Sequence, residues 1–314
     1  MAKHVVTGGA GFIGSHIVEA LASRGDEVVV LDNLSTGKRG NLAGIGGRTC
    51  LHEIDLGEMA ERHRLAGLLE GADTVFHEAA IPSVPRSVSD PVTSHAANVN
   101  GTLNLLMACR EARIRRVVYA SSSSIYGDSP TLPKREDMPA RPLSPYGAQK
   151  YFGEIYMQVF WRAYGLETVS LRYFNVFGPR QDPTSQYSGV IAKFIPAVLQ
   201  GERPVIYGDG HQSRDFTYVA NVVDANLRAA EAEGVGGEVF NIARGDRITV
   251  NEMLDQIRRI VSSEVEAVYE PPRPGDILHS QADATGAREG LGWNPGITFE
   301  EGLEHTIRWY RSCS

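Results

Sequence analysis

Tyr146 and Lys150 stand four residues apart in the run Ser144-Pro145-Tyr146-Gly147-Ala148-Gln149-Lys150. Ser is a good N-cap and Pro is well tolerated at the first helical position, so the run predicts a helix start. Residues four apart on a helix share one face. An ammonium beside a phenol favours the phenolate, so Lys150 is expected to lower the pKa of Tyr146. The chemistry would be general-base catalysis near neutral pH. A Tyr-x-x-x-Lys pair also occurs on ordinary surface helices, so the rest of the chain has to decide its meaning.

The N-terminus carries the second set of informative residues. A short apolar strand, His4-Val5-Val6-Thr7, runs into Gly8-Gly9-Ala10-Gly11-Phe12-Ile13-Gly14, then a helical stretch from residue 15 to 23. The next strand, residues 27–31, ends at Asp32. Strand, Gly-rich turn, helix, strand and acid in this order form a dinucleotide-binding unit. Gly8, Gly11 and Gly14 would make the turn, let backbone approach a pyrophosphate and let the helix pack closely. The helix N-terminus then offers N–H groups to phosphate. Asp32 would accept from a ribose hydroxyl and repel a 2′-phosphate, which selects NAD over NADP.

Elements alternate along the first half. Strands are expected at residues 48–52, 74–77, 117–120 and 168–172. Helices are expected around 59–69, from 91 through 108, and at 144–164. This alternation predicts an α/β fold, a Rossmann-like doubly wound parallel sheet covered on both faces. Ligands in such sheets bind at the C-terminal strand ends. Gly8, Asp32, Ala79-Ala80, Ser121 to Ser124 and Asn175 all fall there. After about residue 175 the rhythm becomes irregular, with short strands near 204–207, 216–219 and 238–242 and helices at 250–261 and 299–311. The expected division is 1–175 for the cofactor domain and 176–314 for a smaller α/β lobe. Some segments of that lobe, such as Phe240-Asn241-Ile242, could rejoin or flank the main sheet.

Bulk properties narrow the partners. The 314 residues suffice for a full core, and the net charge is −7 with no long basic run. Nucleic acid and anionic membrane surfaces are therefore not expected partners. Three Cys without CxxC spacing and nine scattered His give no metal signature and fit a reducing cytoplasm. The chain enters its first strand at once and holds no apolar run long enough to span a bilayer.

With these residues in hand, the chain closely resembles the extended short-chain dehydrogenase/reductases, and within them the NAD-dependent UDP-hexose 4-epimerases. The resemblance runs over essentially the whole chain. It is carried by Asp32-Asn33-Leu34-Ser35-Thr36-Gly37, Ala120 to Asp128, Pro142 to Tyr146 and Leu171 to Gly178. Gly208-Asp209-Gly210, Ser213 to Phe216 and Arg273 to Asp276 extend it. A narrower resemblance, to the branch acting on UDP-N-acetylglucosamine, rests on Ser83-Val84-Pro85-Arg86-Ser87, on Gly178 to Pro183 and on Asp276 to Ser280. The chain departs from that branch at Pro82, where Gly is usual, and at Gly189, where a larger residue is usual.

The resemblance implies a set of roles. Tyr146 is the base toward the sugar 4-hydroxyl, Ser122 relays or orients the proton, with Ser124 the alternative, and Lys150 holds the nicotinamide ribose. NAD accepts a hydride from C4 and returns it to the other face of a 4-keto intermediate. Phe12, Ile13, Asn33, Ser35, Thr36 and Gly37 join the cofactor site, with Asp55, Leu56, Ala79, Ala80 and Tyr173. Arg214 and Arg273 suit a pyrophosphate, because guanidinium forks match phosphate oxygens. Asn175 adds a neutral hydrogen bond there, and Val190 and Tyr207 flank the uracil. Ser83, Ser123 and Gln181 line the acetamido side, with Arg86, Ser124, Gly189 and Asp276 also around the substrate. In the family a bulky aromatic at the Ser280 position restricts the site to unacetylated sugars, and a small residue admits the N-acetyl group. Ser280 is small.

Rival expectations are a permissive UDP-glucose 4-epimerase, a UDP-glucuronate epimerase or decarboxylase, and a catalytically silent binding subunit. A 4,6-dehydratase fits less well, because Ser122 is followed by Ser123-Ser124 and not by Asp-Glu. The family also implies a homodimer through helices near 91–112 and 144–164. Leu103, Leu105, Leu106 and Met107 are the apolar residues that suggest a second buried face.

Overall fold

The computed structural model describes residues 1–183, 189–272 and 278–313. Its strands in chain order are β1 Lys3–Thr7, β2 Glu27–Asp32, β3 Arg48–Glu53, β4 Thr74–His77, β5 Arg116–Ser122, β6 Glu167–Tyr173, β7 Val176–Phe177 and β8 Val205–Tyr207. They continue with β9 Ser213–Arg214, β10 Thr217–Tyr218, β11 Val239–Ile242, β12 Ile248–Thr249 and β13 Val268–Glu270. The helices are α1 Phe12–Ser23, α2 Arg62–Leu69, α3 Val84–Ser89, α4 Pro91–His95, α5 Gly101–Glu111 and α6 Pro145–Tyr164. After them come α7 Val190–Leu199, α8 Val219–Glu231, α9 Val250–Val261, α10 Thr285–Leu291 and α11 Phe299–Cys313.

The main sheet is seven-stranded and parallel, in the order β11-β6-β5-β4-β1-β2-β3. Strand order reverses between β1 and β4, and the crevice above that point is where such folds bind dinucleotides. The strands are nearly continuous apolar runs such as Val28-Val29-Val30-Leu31, because both faces are covered. On one face α1, α8 and α10 bury Ile17, Val18, Val222 and Ala287, with Trp293 just after α10, against β1, β5, β6 and β11. On the other, α2, α5 and α6 bury Leu65, Leu105, Leu106, Met157 and Phe160 against Val75, Val117 and Tyr119.

The segment around Phe240 does rejoin the sheet: β11 pairs with β6 as its edge strand. A separate core forms where α7, α9 and α11 enclose the small strands, with Phe177, Phe216, Tyr218 and Phe299 in mutual ring contact. Among the described residues, no helix is long and apolar enough to cross a membrane.

Leu105 and Leu106 face the core at 0 % exposure, so they offer nothing to a partner. The exposed apolar residues lie elsewhere, on α6 (Phe152, Ile155, Val159), on α3 and α4 (Val88, Val92) and at Leu143. The reason is that α5 is sandwiched between α2 and α6, whereas Phe152, Ile155 and Val159 on α6 stay exposed among the described residues.

Candidate active site

The helix that carries Tyr146 and Lys150 is set by local chemistry. The Ser144 hydroxyl accepts from the Gly147 N–H at 3.1 Å and Pro145 occupies the first turn. The helix ends at Gly165, whose φ of 70° suits a residue without a Cβ. Two interior glycines let α6 lie close on β5. A Cβ on Gly153 would fall 2.1 Å from the Tyr119 hydroxyl, and one on Gly147 would fall 2.8 Å from the Ser124 carbonyl oxygen. The helix is therefore seated over the strand end that carries Ser122.

Tyr146, Lys150 and Glu154 follow one another on the same face at spacings of four. Lys150 Nζ donates to the Ala120 carbonyl at 2.7 Å. Glu154 takes two hydrogen bonds from Arg172 on β6, at 2.8 and 2.7 Å, and a third from Ser121. Arg172 also donates to the Tyr126 hydroxyl at 2.7 Å, which donates to Asn241 of β11 at 2.7 Å. Behind the helix, Gln149 accepts from Ser94 and Asn98 at 2.7 and 2.8 Å, and the Tyr146 N–H donates to Ser87 at 3.0 Å. These buried polar contacts fix the helix in position and rotation.

The Ser122 hydroxyl accepts from the Ser124 N–H and hydroxyl at 3.2 and 2.9 Å, and it acts on the Tyr146 phenol. The structure thus brings Ser122, Ser124, Tyr146 and Lys150 together. It does not bear out the expected lowering of the Tyr146 pKa. Burial pushes the phenol up to about 12, the Glu78 carboxylate adds to the rise, and only the Ser122 hydroxyl opposes it. Lys150 is itself moved down by burial, against the pull of Glu78 and Glu154. Desolvation of the phenolate outweighs the one hydrogen bond that favours it.

The dinucleotide crevice fits NAD. Gly8 has φ of 65°, and a Cβ there would lie 2.7 Å from the Ala79 nitrogen; one on Gly14 would lie 2.3 Å from the Gly8 oxygen. The turn therefore keeps side chains out of the cradle. No side chain caps α1 and no acid occupies its first turn, so the N–H groups of Phe12 and Ile13 face the crevice end with the helix dipole favouring an anion. Asp32 is 7 % exposed and accepts from the N–H groups of Ala10 and Leu34 at 2.9 and 2.8 Å. Each carboxylate oxygen keeps a lone pair for a ribose hydroxyl. Asn33 donates to Asp55 at 2.8 Å and accepts from the Ser35 N–H at 3.0 Å, while Asp55 also accepts from Gly57. Leu56 is buried beside them, with its carbonyl bonded to Asn104. A Cβ on Gly37 would strike the Asp32 carboxylate at 2.8 Å.

Segment 178–183 lies against this unit. His16 contacts the Pro179 carbonyl at 3.0 Å, Arg180 pairs with Glu19 at 2.7 Å, and Lys38 pairs with Asp182 at 2.9 Å.

A cavity of about 290 Å³ opens next to Asn175, just beyond the end of β6. It gathers six of the expected substrate residues: Asn175, Gln181, Gly189, Val190, Tyr207 and Arg214. Lys193 and Gln212 also line it, and none of the described lining residues is acidic. Gln181, expected on the acetamido side with Ser83 and Ser123, lines this cavity together with Tyr207. Ser83 caps α3 through the Arg86 N–H at 3.1 Å, and Ser123 opens the turn after β5. The Ser280 N–H donates to the Ser213 carbonyl at 3.0 Å, beside Arg214, and Ser280 is not among the residues lining the cavity. Arg273 and Asp276 lie outside the described residues.

Sequence reasoning passed over Glu78, whose Oε1 accepts from the Tyr173 hydroxyl at 2.7 Å, and Lys193. Glu78 carried a signal, since it stands directly after a strand expected to end at a ligand crevice. Lys193 carried none, because only the lobe's packing brings it to the cavity.

Comparison with known proteins places this arrangement. Residues 4–243 match the NAD dependent epimerase/dehydratase family. A UDP-glucose 4-epimerase of Mycolicibacterium smegmatis is 41 % identical over 315 residues, spanning 99 % of both chains. The structure of a UDP-N-acetylglucosamine 4-epimerase from Methanobrevibacter ruminantium, in complex with UDP-N-acetylmuramic acid, superposes with a TM-score of 0.95 at 43 % identity, covering 100 % of this chain and 99 % of that one. A Thermus thermophilus UDP-glucose 4-epimerase complex with NAD gives 0.89 at 39 % identity, covering 99 % and 100 %. The chain belongs to the NAD dependent epimerase/dehydratase family, and its cofactor is NAD.

Proposed function

We propose that this protein is a UDP-sugar 4-epimerase that interconverts UDP-GlcNAc and UDP-GalNAc and also accepts UDP-glucose and UDP-galactose. The observation that carries the reading is the gathering of Ser122, Tyr146 and Lys150 at the end of β5, with a cavity lined by Arg214 and Lys193 just beyond β6. Cations without a described carboxylate among them suit a nucleoside diphosphate. Small Ser280 and the Ser83 to Ser87 run favour the acetylated sugars. Similarity to a UDP-glucose and a UDP-N-acetylglucosamine 4-epimerase supports both substrate pairs.

In this mechanism Arg214 and Asn175 hold the pyrophosphate, and Val190 and Tyr207 flank the base. Ser122 orients the sugar 4-hydroxyl toward Tyr146. Tyr146 removes that proton and later returns it. Lys150 anchors the nicotinamide ribose. NAD held by the Gly8 to Gly14 turn and Asp32 would supply a hydride acceptor and donor for C4. The active unit is a homodimer formed across the exposed apolar face of α6.

The test is a side-by-side assay of UDP-GlcNAc, UDP-glucose and UDP-glucuronate on the purified protein, with products separated by chromatography. C4-epimerised products from the first two are expected. Turnover of UDP-glucuronate alone would overturn the reading.

A further inference from the structure

Asp215 stands between β9 and β10, directly after Arg214, and it is 0 % exposed. Its carboxylate accepts three backbone N–H groups from two other segments. Those of Arg244 and Gly245, just after β11, lie at 3.1 and 3.0 Å, and that of Ala282, before α10, lies at 3.1 Å. A buried carboxylate needs such donors. The Arg244 guanidinium is not one of them, because it goes to Asp246 and to the Ile297 carbonyl. Burial pushes the Asp215 carboxyl up to about 7, Asp246 adds to the rise, and the three N–H groups oppose it.

The backbone around Asp215 carries both groups assigned to the pyrophosphate. The Asp215 carbonyl accepts from Asn175 Nδ2 at 3.0 Å. Asn175 has φ of 36°, in the left-handed region that favours glycine, so a side-chain tie helps to hold it there. Arg214 is seated by carbonyls: its Nη1 donates to those of Ser213 and Leu278 at 3.0 and 3.2 Å. The Leu278 carbonyl also accepts from the Ser213 N–H at 2.9 Å, and the Ser280 N–H donates to the Ser213 carbonyl at 3.0 Å. The strip from residue 278 to 282 is thus laid along β9, and Asp215 fastens its far end at Ala282. The Gln281 side chain adds a bond to the Gly245 carbonyl at 2.7 Å, between the same two segments. Segments distant in sequence therefore meet on one carboxylate, one residue from the guanidinium that lines the cavity.

We propose that Asp215 is a positioning residue for the substrate diphosphate: its carboxylate clamps the 244–245 turn and the 278–282 strip around β9 and so fixes Arg214 and Asn175 for the phosphate oxygens. The proposal rests on the reading of the Arg214 cavity as the nucleotide site. Asp215→Asn keeps the size of the side chain but turns one acceptor oxygen into an N–H donor, which opposes at least one of the three N–H groups. Arg214 and Asn175 are then held less well. Ground state and transition state lose the same binding, so the loss enters KM and not kcat. Ser122, Tyr146 and Lys150 lie on β5 and α6, to which the Asp215 carboxylate makes no hydrogen bond among the described residues.

The experiment uses the NAD-loaded full chain at about pH 8, above the titration of the Asp215 carboxyl. It measures UDP affinity by calorimetry, KM and kcat for UDP-GlcNAc and UDP-glucose, and inhibition by uridine. The proteins are wild type, Asp215→Asn, Arg214→Ala and the double variant. Asp215→Asn should raise the UDP Kd and the sugar KM roughly tenfold, the scale of a lost hydrogen bond to a charged group, with kcat unchanged. Uridine has no phosphates, so its inhibition should not change. In the Arg214→Ala background the same substitution should cost clearly less, because it acts largely through the missing guanidinium. A UDP Kd at the wild-type value, an equal loss for uridine, or full additivity with Arg214→Ala overturns the proposal. Should Asp215→Asn not fold, Asp215→Ser keeps one acceptor in a smaller side chain and is read against the same outcomes. If Arg214→Ala itself leaves UDP binding at the wild-type value, the nucleotide reading of the cavity fails. If it weakens UDP while Asp215→Asn does not, only the clamp fails.

Discussion

Lys38 Nζ lies 2.9 Å from Asp182, and this ion pair joins the loop after β2 to the segment that delivers Gln181 to the cavity. Lys38 also donates its N–H to the Ala10 carbonyl inside the Gly-rich turn. Both partners are partly exposed, so the pair is worth about 0–1 kcal/mol to the fold. Its leverage should be on cofactor exchange, because it ties segment 178–183 to the loop beside the Gly-rich turn. Lys38→Met is expected to release NAD severalfold faster while leaving the melting temperature unchanged. Cofactor retained after timed gel filtration measures this, and raised salt should mimic the variant in wild type.

Tyr146→Phe deletes one hydroxyl and keeps the ring that α6 packs. Turnover should fall roughly a hundredfold or more, the scale of a lost general base. UDP-sugar affinity by calorimetry should hardly change, because Arg214 and the cavity are untouched. A near-wild-type rate would remove Tyr146 from the mechanism.

His77 is 0 % exposed and sits between the Thr7 and Thr102 hydroxyls at 2.8 and 2.9 Å. Burial, helped by the Lys150 charge, lowers its pKa from 6.5 to about 3. Between those values the unfolded chain binds the proton and the folded chain does not. The stability His77 contributes is therefore present above about 6.5 and lost as pH falls toward 3, at roughly 1.4 kcal/mol per unit. Urea unfolding from pH 7 to 5 should show this slope, and His77→Gln should flatten it.

The parallel sheet was legible because its strands are buried on both faces and read as unbroken Val and Leu runs between turn residues. The Gly8 to Gly14 turn was legible because its glycines answer to contacts as short as 2.3 Å that no side chain survives. The small strands β7, β9 and β12 have two residues each, too few to show a period. The α7 and α8 helices were passed over for a related reason, since α7 is apolar on most sides and reads like a buried strand. The ionisation of Tyr146 was misjudged because burial, a long-range property, outweighs a neighbour four residues away.

Phe152, Ile155 and Val159 stand 51, 39 and 46 % exposed at spacings of three and four on α6, one apolar stripe left uncovered by the described residues. Val88 on α3 and Val92 on α4, two helices that pack against α6, are exposed as well. A stripe of this kind suits a two-fold contact with a second copy. Wild type should sediment as a dimer at micromolar concentration, and Phe152→Glu with Val159→Glu as a monomer that still binds NAD. A monomeric wild type would sink the expectation.

Ser280 tests the choice of sugar. Its backbone is tied to the Ser213 carbonyl at 3.0 Å, so a larger side chain cannot be relieved by a free shift of the loop. If Ser280 marks the open side of the sugar pocket, Ser280→Tyr places a phenol where the acetamido group has to go. Steric walls reject a larger substituent far better than pockets reject a smaller one. Overpacking costs about 1–3 kcal/mol, so kcat/KM for UDP-GlcNAc and UDP-GalNAc should fall roughly tenfold or more relative to UDP-glucose and UDP-galactose. If Ser280 only belongs to the wall beside Arg214, the variant acts through stability or the nucleotide half that all four share. The four rates then fall together, and the gate is refuted.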